Sequence, residues 1–149
     1  MNPARILIVD DHEIFRKGLR SLLQTRAEFQ ICGEACNGLE AVERTKELLP
    51  DIVLMDISMP QIDGLQATRI IRNEVPSSRV LILSQHDSPH MLAAALKSGA
   101  SAYVTKSQVS RFLLAALEGV ANGKSFSWNG EPTDESMQPP KTEPRTNPE

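Results

Sequence analysis

The sequence predicts an α/β fold, a parallel sheet covered by helices on both faces, on three observations. Short apolar runs rich in branched residues recur along the chain, and helical-period apolar patterns lie between them. Capping residues mark the points where one kind of segment gives way to the other. Parallel strands need crossovers, and strands this apolar must be hidden on both sides, so the alternation reads as successive βα units.

The elements follow in order. The first run is Arg5–Val9 (RILIV), and Phe15, Gly18, Leu19, Leu22 and Leu23 then form one helical face. The second run is Phe29–Ala35, after which Asn37-x-x-Glu40 resembles a capping box opening a second helix. The third is Asp51–Met55 (DIVLM), followed by another box-like pair, Asp63-x-x-Gln66, and a face marked by Leu65, Ile70 and Ile71. Arg79–Leu83 (RVLIL) is the fourth run. Ser88-Pro89 then supplies an N-cap with proline at the first helical position, Leu92, Ala95 and Leu96 share a face, and Gly99 sits where a C-cap belongs. Ser101–Thr105 is the fifth run, and the helix of Leu113, Leu117 and Val120 stops at Asn122-Gly123. The expected topology is a doubly wound, five-stranded, flavodoxin-like (βα)5 sheet of order 2-1-3-4-5.

The totals bound what such a fold can do. With 149 residues the chain suits one domain; 40% of residues are hydrophobic but only 4% aromatic, so the core must be mainly aliphatic. A net charge of −3, from 16 basic and 19 acidic residues, gives no electrostatic drive toward nucleic acid or an anionic membrane. No apolar run approaches the ~20 residues of a membrane span, and the N-terminus lacks the layout of a signal peptide. Cys32 and Cys36 have neither CxxC spacing nor a second pair, so neither a zinc site nor a disulfide framework is indicated, and a cytoplasmic location is the default. The last segment, EPTDESMQPPKTEPRTNPE, holds five of the ten prolines and a single apolar side chain, Met137. It cannot bury enough surface to offset its ordering entropy. Residues 1–123 are therefore expected to form the folded domain, and 124–149 a proline-rich disordered tail or linker.

Four of the five apolar runs end on polar tips. The first leads into Asp10-Asp11, the third into Asp56, the fourth into Ser84 and the fifth into Lys106. In a parallel α/β sheet these ends share one edge, where ligands bind, and order 2-1-3-4-5 makes the first and third strands neighbours. Asp10, Asp11 and Asp56 would then converge. Two like charges ~4 Å apart repel by ~4 kcal/mol at an effective dielectric near 20. A hard divalent cation would offset that, and an oxygen donor set points to Mg²⁺ rather than zinc. Lys106 adds a positive charge and Ser84 a hydroxyl for a phosphoryl oxygen, so the constellation suggests phosphoryl transfer with a carboxylate nucleophile. A lone Asp after a strand is ordinarily a helix N-cap, and a lone Lys there is ordinarily solvated; four such tips on one sheet edge are hard to explain that way.

These residues resemble the receiver domain of bacterial two-component response regulators. The resemblance covers about residues 4–123 and rests on VDDH (9–12), LMDISMPQIDG (54–64), LILS (81–84) and GASAYVTK (99–106). DDHEIFRKGLRSLL and the ending ALEGVANG look most like the NarL/FixJ (LuxR-type) subfamily. The resemblance implies that Asp56 accepts a phosphoryl group from the phosphohistidine of a sensor histidine kinase. It implies Mg²⁺ held directly by Asp11, Asp56 and the main-chain carbonyl of Ser58, with Asp10 acting through water. Ser84 would move to the phosphoryl oxygen, Lys106 would pair with it, and Tyr103 would swing inward as Ser84 vacates space. The surface so remodelled would be the fourth helix, fifth strand and fifth helix. Met59-Pro60 and Gly64 would shape the loop beside Asp56.

Two departures from the family pattern stand out. Ser107 follows Lys106 where the family commonly has proline, often in a cis peptide; a non-proline cis bond costs ~3 kcal/mol, so a trans bond is expected. Gln85 replaces the usual small residue after Ser84, with room to crowd phosphoryl access. His86 lies where the family tunes dephosphorylation, although an exposed loop histidine is the plainer reading, as helix-start positions are for His12 and His90.

A signalling domain rather than an enzyme is the expectation, with self-phosphorylation and self-dephosphorylation as its chemistry. The partners expected are a sensor histidine kinase and a second copy in a homodimer, with no direct nucleic-acid binding and no membrane. NarL/FixJ members usually carry a helix-turn-helix domain after a linker. The chain therefore reads either as a stand-alone receiver or as a fragment of a transcriptional regulator. Two alternatives are a pseudo-receiver interaction module and a small phosphotransferase with an Asp nucleophile. A haloacid-dehalogenase-type enzyme wants a second Asp two residues on, and that position is Ser58. A nucleotide or flavin site needs a phosphate-cradling glycine loop, and DDHEIF has none.

Overall fold

Each apolar run of the sequence becomes a strand: β1 (Ala4–Val9), β2 (Phe29–Ala35), β3 (Ile52–Asp56), β4 (Arg79–Ser84) and β5 (Ala102–Thr105). Between and after them lie α1 (Glu13–Leu23), α2 (Gly38–Leu48), α3 (Gly64–Glu74), α4 (Pro89–Lys97) and α5 (Val109–Ala121). The structure is a computed structural model and describes residues 2–59, 62–85, 88–126 and 132–133. Pro60, His86 and most of the tail therefore lie outside the described residues.

The five strands are parallel and ordered β2-β1-β3-β4-β5, as expected. Alternating side chains divide the core in two. Ile6, Ile8, Leu54, Leu81 and Val104 pack with Leu19, Leu113 and Leu117 of α1 and α5. Leu7, Val9, Met55, Ile82 and Tyr103 pack on the other face with Ala41, Ala67, Ile71 and Ala95 of α2, α3 and α4. Central β3 is buried along its whole length, whereas edge strand β2 is buried only at its two ends. Pairing of β1 with β2 slips between Ile6 and Leu7, which leaves Cys32 without a register partner.

Local signals explain the element ends. Asp63 and Gln66 form a complete capping box on α3. The pair at α2 differs from expectation: Asn37 accepts from the Glu40 amide at 2.8 Å, but Glu40 Oε1 accepts from the Cys36 amide rather than from Asn37. Ser88 caps α4 with Pro89 at its start, and Gly99 and Gly123 follow α4 and α5 with φ of 106° and 83°. No cis peptide occurs among the described residues, so the Lys106–Ser107 bond is trans, in a 3-10 turn over Lys106–Gln108.

Strand pairing continues past Gly123, through β6 (Ser125–Phe126), parallel to β5, and β7 (Pro132–Thr133), antiparallel to β6. Both lie in the segment read from the sequence as a tail or linker. Apolar patterning could not reveal them, because backbone pairing on a free sheet edge asks little of side chains.

Candidate functional site

Strands β1 and β3 are neighbours, with Val9 opposite Met55, so the residues that follow each strand meet at one sheet edge. Ligand-capable atoms of Asp10, Asp11, His12 and Asp56 all lie within 4.8 Å of one another. Asp10 and Asp56 are buried, Asp11 exposed. Lys106, only 10% exposed at its side chain, brings its Nζ to 2.8 Å from Asp10 Oδ2 and 3.5 Å from Asp56 Oδ1. Beside the acids opens a depression of about 470 Å³ lined by Asp11, Ser58, Met59, Asp63 and Met91.

The shape of this corner depends on Gly64. A Cβ there would stand 2.3 Å from the Asp56 carbonyl oxygen and 2.8 Å from Ile57 Cα, so only glycine lets α3 start this close to the strand end. The Gly64 amide donates to the Ile57 carbonyl, and Ser58 donates its amide to Asp56 Oδ1 at 3.3 Å.

Burial is the main cause that raises the Asp56 carboxyl, to about 6; Asp10 adds to the rise, and Lys106 and the Ser58 amide oppose it. Among the described residues Asp56 Oδ2 has no hydrogen-bond partner, and Asp10 Oδ2 has only the Lys106 ammonium, placed without hydrogen-bond alignment. Buried carboxylate oxygens without partners, beside an exposed third carboxylate, fit a hard divalent cation.

Of the other residues singled out in the sequence, Ser84 ends β4 fully buried, paired in register with Thr105, while Gln85 is exposed. Tyr103, opposite Ile82, is fully buried with Ala95 and Ala100 in the core on the α4 side, so its ring is inward.

Three neighbours were not assigned to the site from the sequence, which read His12 as a helix-start residue and Phe15 only as part of an apolar helical face. His12 stands at the N-cap of α1 without a cap bond from its side chain, and its Nδ1 lies 3.2 Å from both Asp10 Oδ1 and Asp11 Oδ1. Arg16 donates to the Asp10 carbonyl at 2.5 Å and pairs with Glu34 at 3.0 Å. The Phe15 ring lies under Lys106, with Nζ 4.4 Å from its centroid. Apolar periodicity placed Phe15 on the inward face of the first helix and spacing from Asp11 could have flagged Arg16 there, but their partners Lys106, Asp10 and Glu34 come from outside that helix.

Comparison with known proteins shows the family to which the fold belongs. A family model described as the response regulator receiver domain matches residues 6–118. The transcriptional regulatory protein DegU of Brevibacillus brevis is 38% identical over 125 residues, which cover 84% of this chain and 53% of that protein. The transcriptional regulatory protein LnrK of Bacillus subtilis is 44% identical over 119 residues, covering 80% and 54%. The chain thus spans about half the length of these curated relatives. A two-component response regulator of the LuxR family from Aurantimonas superposes with a TM-score of 0.80 at 38% identity, covering 84% of this chain and 89% of that one.

Proposed function

The chain belongs to the response regulator receiver domain family, and from that premise we propose that Asp56 is the phosphoacceptor of a two-component signalling pathway. An Asp56 carboxylate oxygen attacks the phosphorus of a phosphohistidine on a sensor histidine kinase. The new O–P bond forms as the P–N bond breaks, and the imidazole leaves with the electron pair and takes up a proton. Mg²⁺, held by Asp11, Asp56 and the Ser58 carbonyl with Asp10 through water, would supply charge neutralisation for the phosphoryl oxygens. Lys106 offers a second positive charge and Ser84 a hydroxyl donor for the same oxygens. The observation that carries this reading is the buried Asp56 carboxyl grouped with Asp10 and Asp11, its Oδ1 3.5 Å from Lys106 Nζ and its Oδ2 without a hydrogen-bond partner among the described residues.

The chain is a signalling domain rather than a turnover enzyme. Its output is proposed to be transcriptional, through the part of a longer regulator that these residues do not span. Regulation would run through Ser84 and Tyr103 to α4, β5 and α5. The proposed partners are a sensor kinase and a second copy of the chain; Ile14, 84% exposed beside an apolar groove between α1 and α5, is a surface suited to such contact. Among the described residues no helix is long and apolar enough to cross a membrane.

The test is intact mass after incubation with Mg²⁺ and acetyl phosphate. One phosphoryl group should be added, and none in Asp56→Asn or in EDTA. Clear Mg²⁺ binding without any adduct, from acetyl phosphate or a phosphorylated kinase, would favour a pseudo-receiver that only binds partners.

A further inference from the structure

The carboxylates are not the only groups that meet the Lys106 ammonium. Its Nζ also lies 4.4 Å from the Phe15 ring centroid, within the range of a cation–π contact. The two residues are far apart in sequence and meet only because α1 packs beside the 3-10 turn that follows β5. Both also line the apolar groove between α1 and α5, of about 580 Å³, with Ile14, Leu19 and Val109. With the side chain only 10% exposed, the ring and the two carboxylates together leave the ammonium little contact with water.

We propose that Phe15 is a positioning residue for phosphoryl transfer, its ring face holding the Lys106 ammonium at the acid cluster. The role rests on the phosphoacceptor reading of Asp56 and deepens it. A lysine has four rotatable bonds and a strongly hydrated head, so without a further partner it would spend much of its time in solvent. The ring attracts the cation without consuming its N–H donors. Those donors stay available to Asp10 and Asp56 before transfer and to a phosphoryl oxygen after it. An aliphatic side chain of similar volume would fill the same space and pack on the same core, but it would exert no pull on the charge. The groove also gives the contact a regulatory reach, since whatever docks there touches the ring that holds the lysine.

The experiment compares wild type, Phe15→Leu and Phe15→Tyr in the full chain. Proton NMR reads the Lys106 Cε hydrogens, which an aromatic ring this close shifts upfield. The shift should persist in Phe15→Tyr and vanish in Phe15→Leu. The rate of phosphorylation by acetyl phosphate with saturating Mg²⁺ should fall roughly tenfold in Phe15→Leu and return toward wild type in Phe15→Tyr. Mg²⁺ affinity separates positioning from damage: loosening the lysine leaves it unchanged or tighter, because the competing cation is released. Equal rates in wild type and Phe15→Leu would overturn the proposal, as would an unmoved Lys106 shift or a parallel loss of Mg²⁺ binding. A wild type that takes no phosphoryl group while keeping the upfield shift overturns the Asp56 reading, and the transfer role with it, but not the ring contact.

Discussion

The carboxyl of Asp56 is buried beside Asp10 and Lys106, and burial, more than the neighbouring charge, raises it to about 6 from an ordinary 3.8. The folded protein therefore keeps a proton in the window between those values that the unfolded chain has given up. More protons bound in the folded state means that stability falls as pH rises through the window, and above it the full cost remains. The raise corresponds to about 3 kcal/mol, an order-of-magnitude figure. Asp56→Asn should thus be more stable than wild type by about 2–3 kcal/mol at pH 8 in EDTA, with the gap closing toward pH 4. Urea melts across pH would check this, and a flat difference would refute it. The sequence told us that a carboxylate ends β3. It could not show that the carboxylate is buried and lacks a partner on one oxygen, since that depends on Asp10, Lys106 and the start of α3 closing around it.

One close approach decides how α3 meets β3 at the site. The start of α3 presses on the end of β3 at Gly64, where a Cβ would meet backbone rather than a movable side chain. Gly64→Ala should cost roughly 2–3 kcal/mol and weaken Mg²⁺ binding, measurable by thermal melts and metal titration. Leu49, by contrast, ends α2 in the left-handed region with φ of 50° and lies 58% exposed. Little packing holds it there, so Leu49→Gly should stabilise by about 0.5–1 kcal/mol with the metal site untouched. Gly64 was marked in the sequence by the Asp63 cap before it, whereas Leu49 carried no signal, because its conformation is set by the turn into β3 and not by preference. Glu40 shows the same limit. Its pattern was legible, but its bond goes to Cys36 because of how β2 enters the helix.

Across the whole molecule, the crossing order of strands makes one functional edge. Three carboxylates on that edge share a single ammonium, that of Lys106, which leaves net negative charge for a divalent cation to offset, so metal binding and folding should be linked. Mg²⁺ at ~100 times its dissociation constant should stabilise by about 2.7 kcal/mol, and EDTA should reverse the gain. In Asp11→Asn the gain should shrink sharply, and scanning calorimetry with and without metal would show it.

The sequence by itself determined the five βα units, their caps and the polar tips Asp10, Asp11, Asp56, Ser84 and Lys106, because periodicity, capping and strand-end chemistry are local properties written in adjacent residues. Only the tertiary structure decided that Lys106 meets Asp10 more closely than Asp56, that Phe15 lies beneath it, that Arg16 grips the Asp10 carbonyl, and that β6 and β7 extend the sheet. Those contacts join segments distant in the chain. They depend on how helices settle on a twisted sheet and on which backbone groups remain unpaired at its edge, and no single stretch of sequence encodes either.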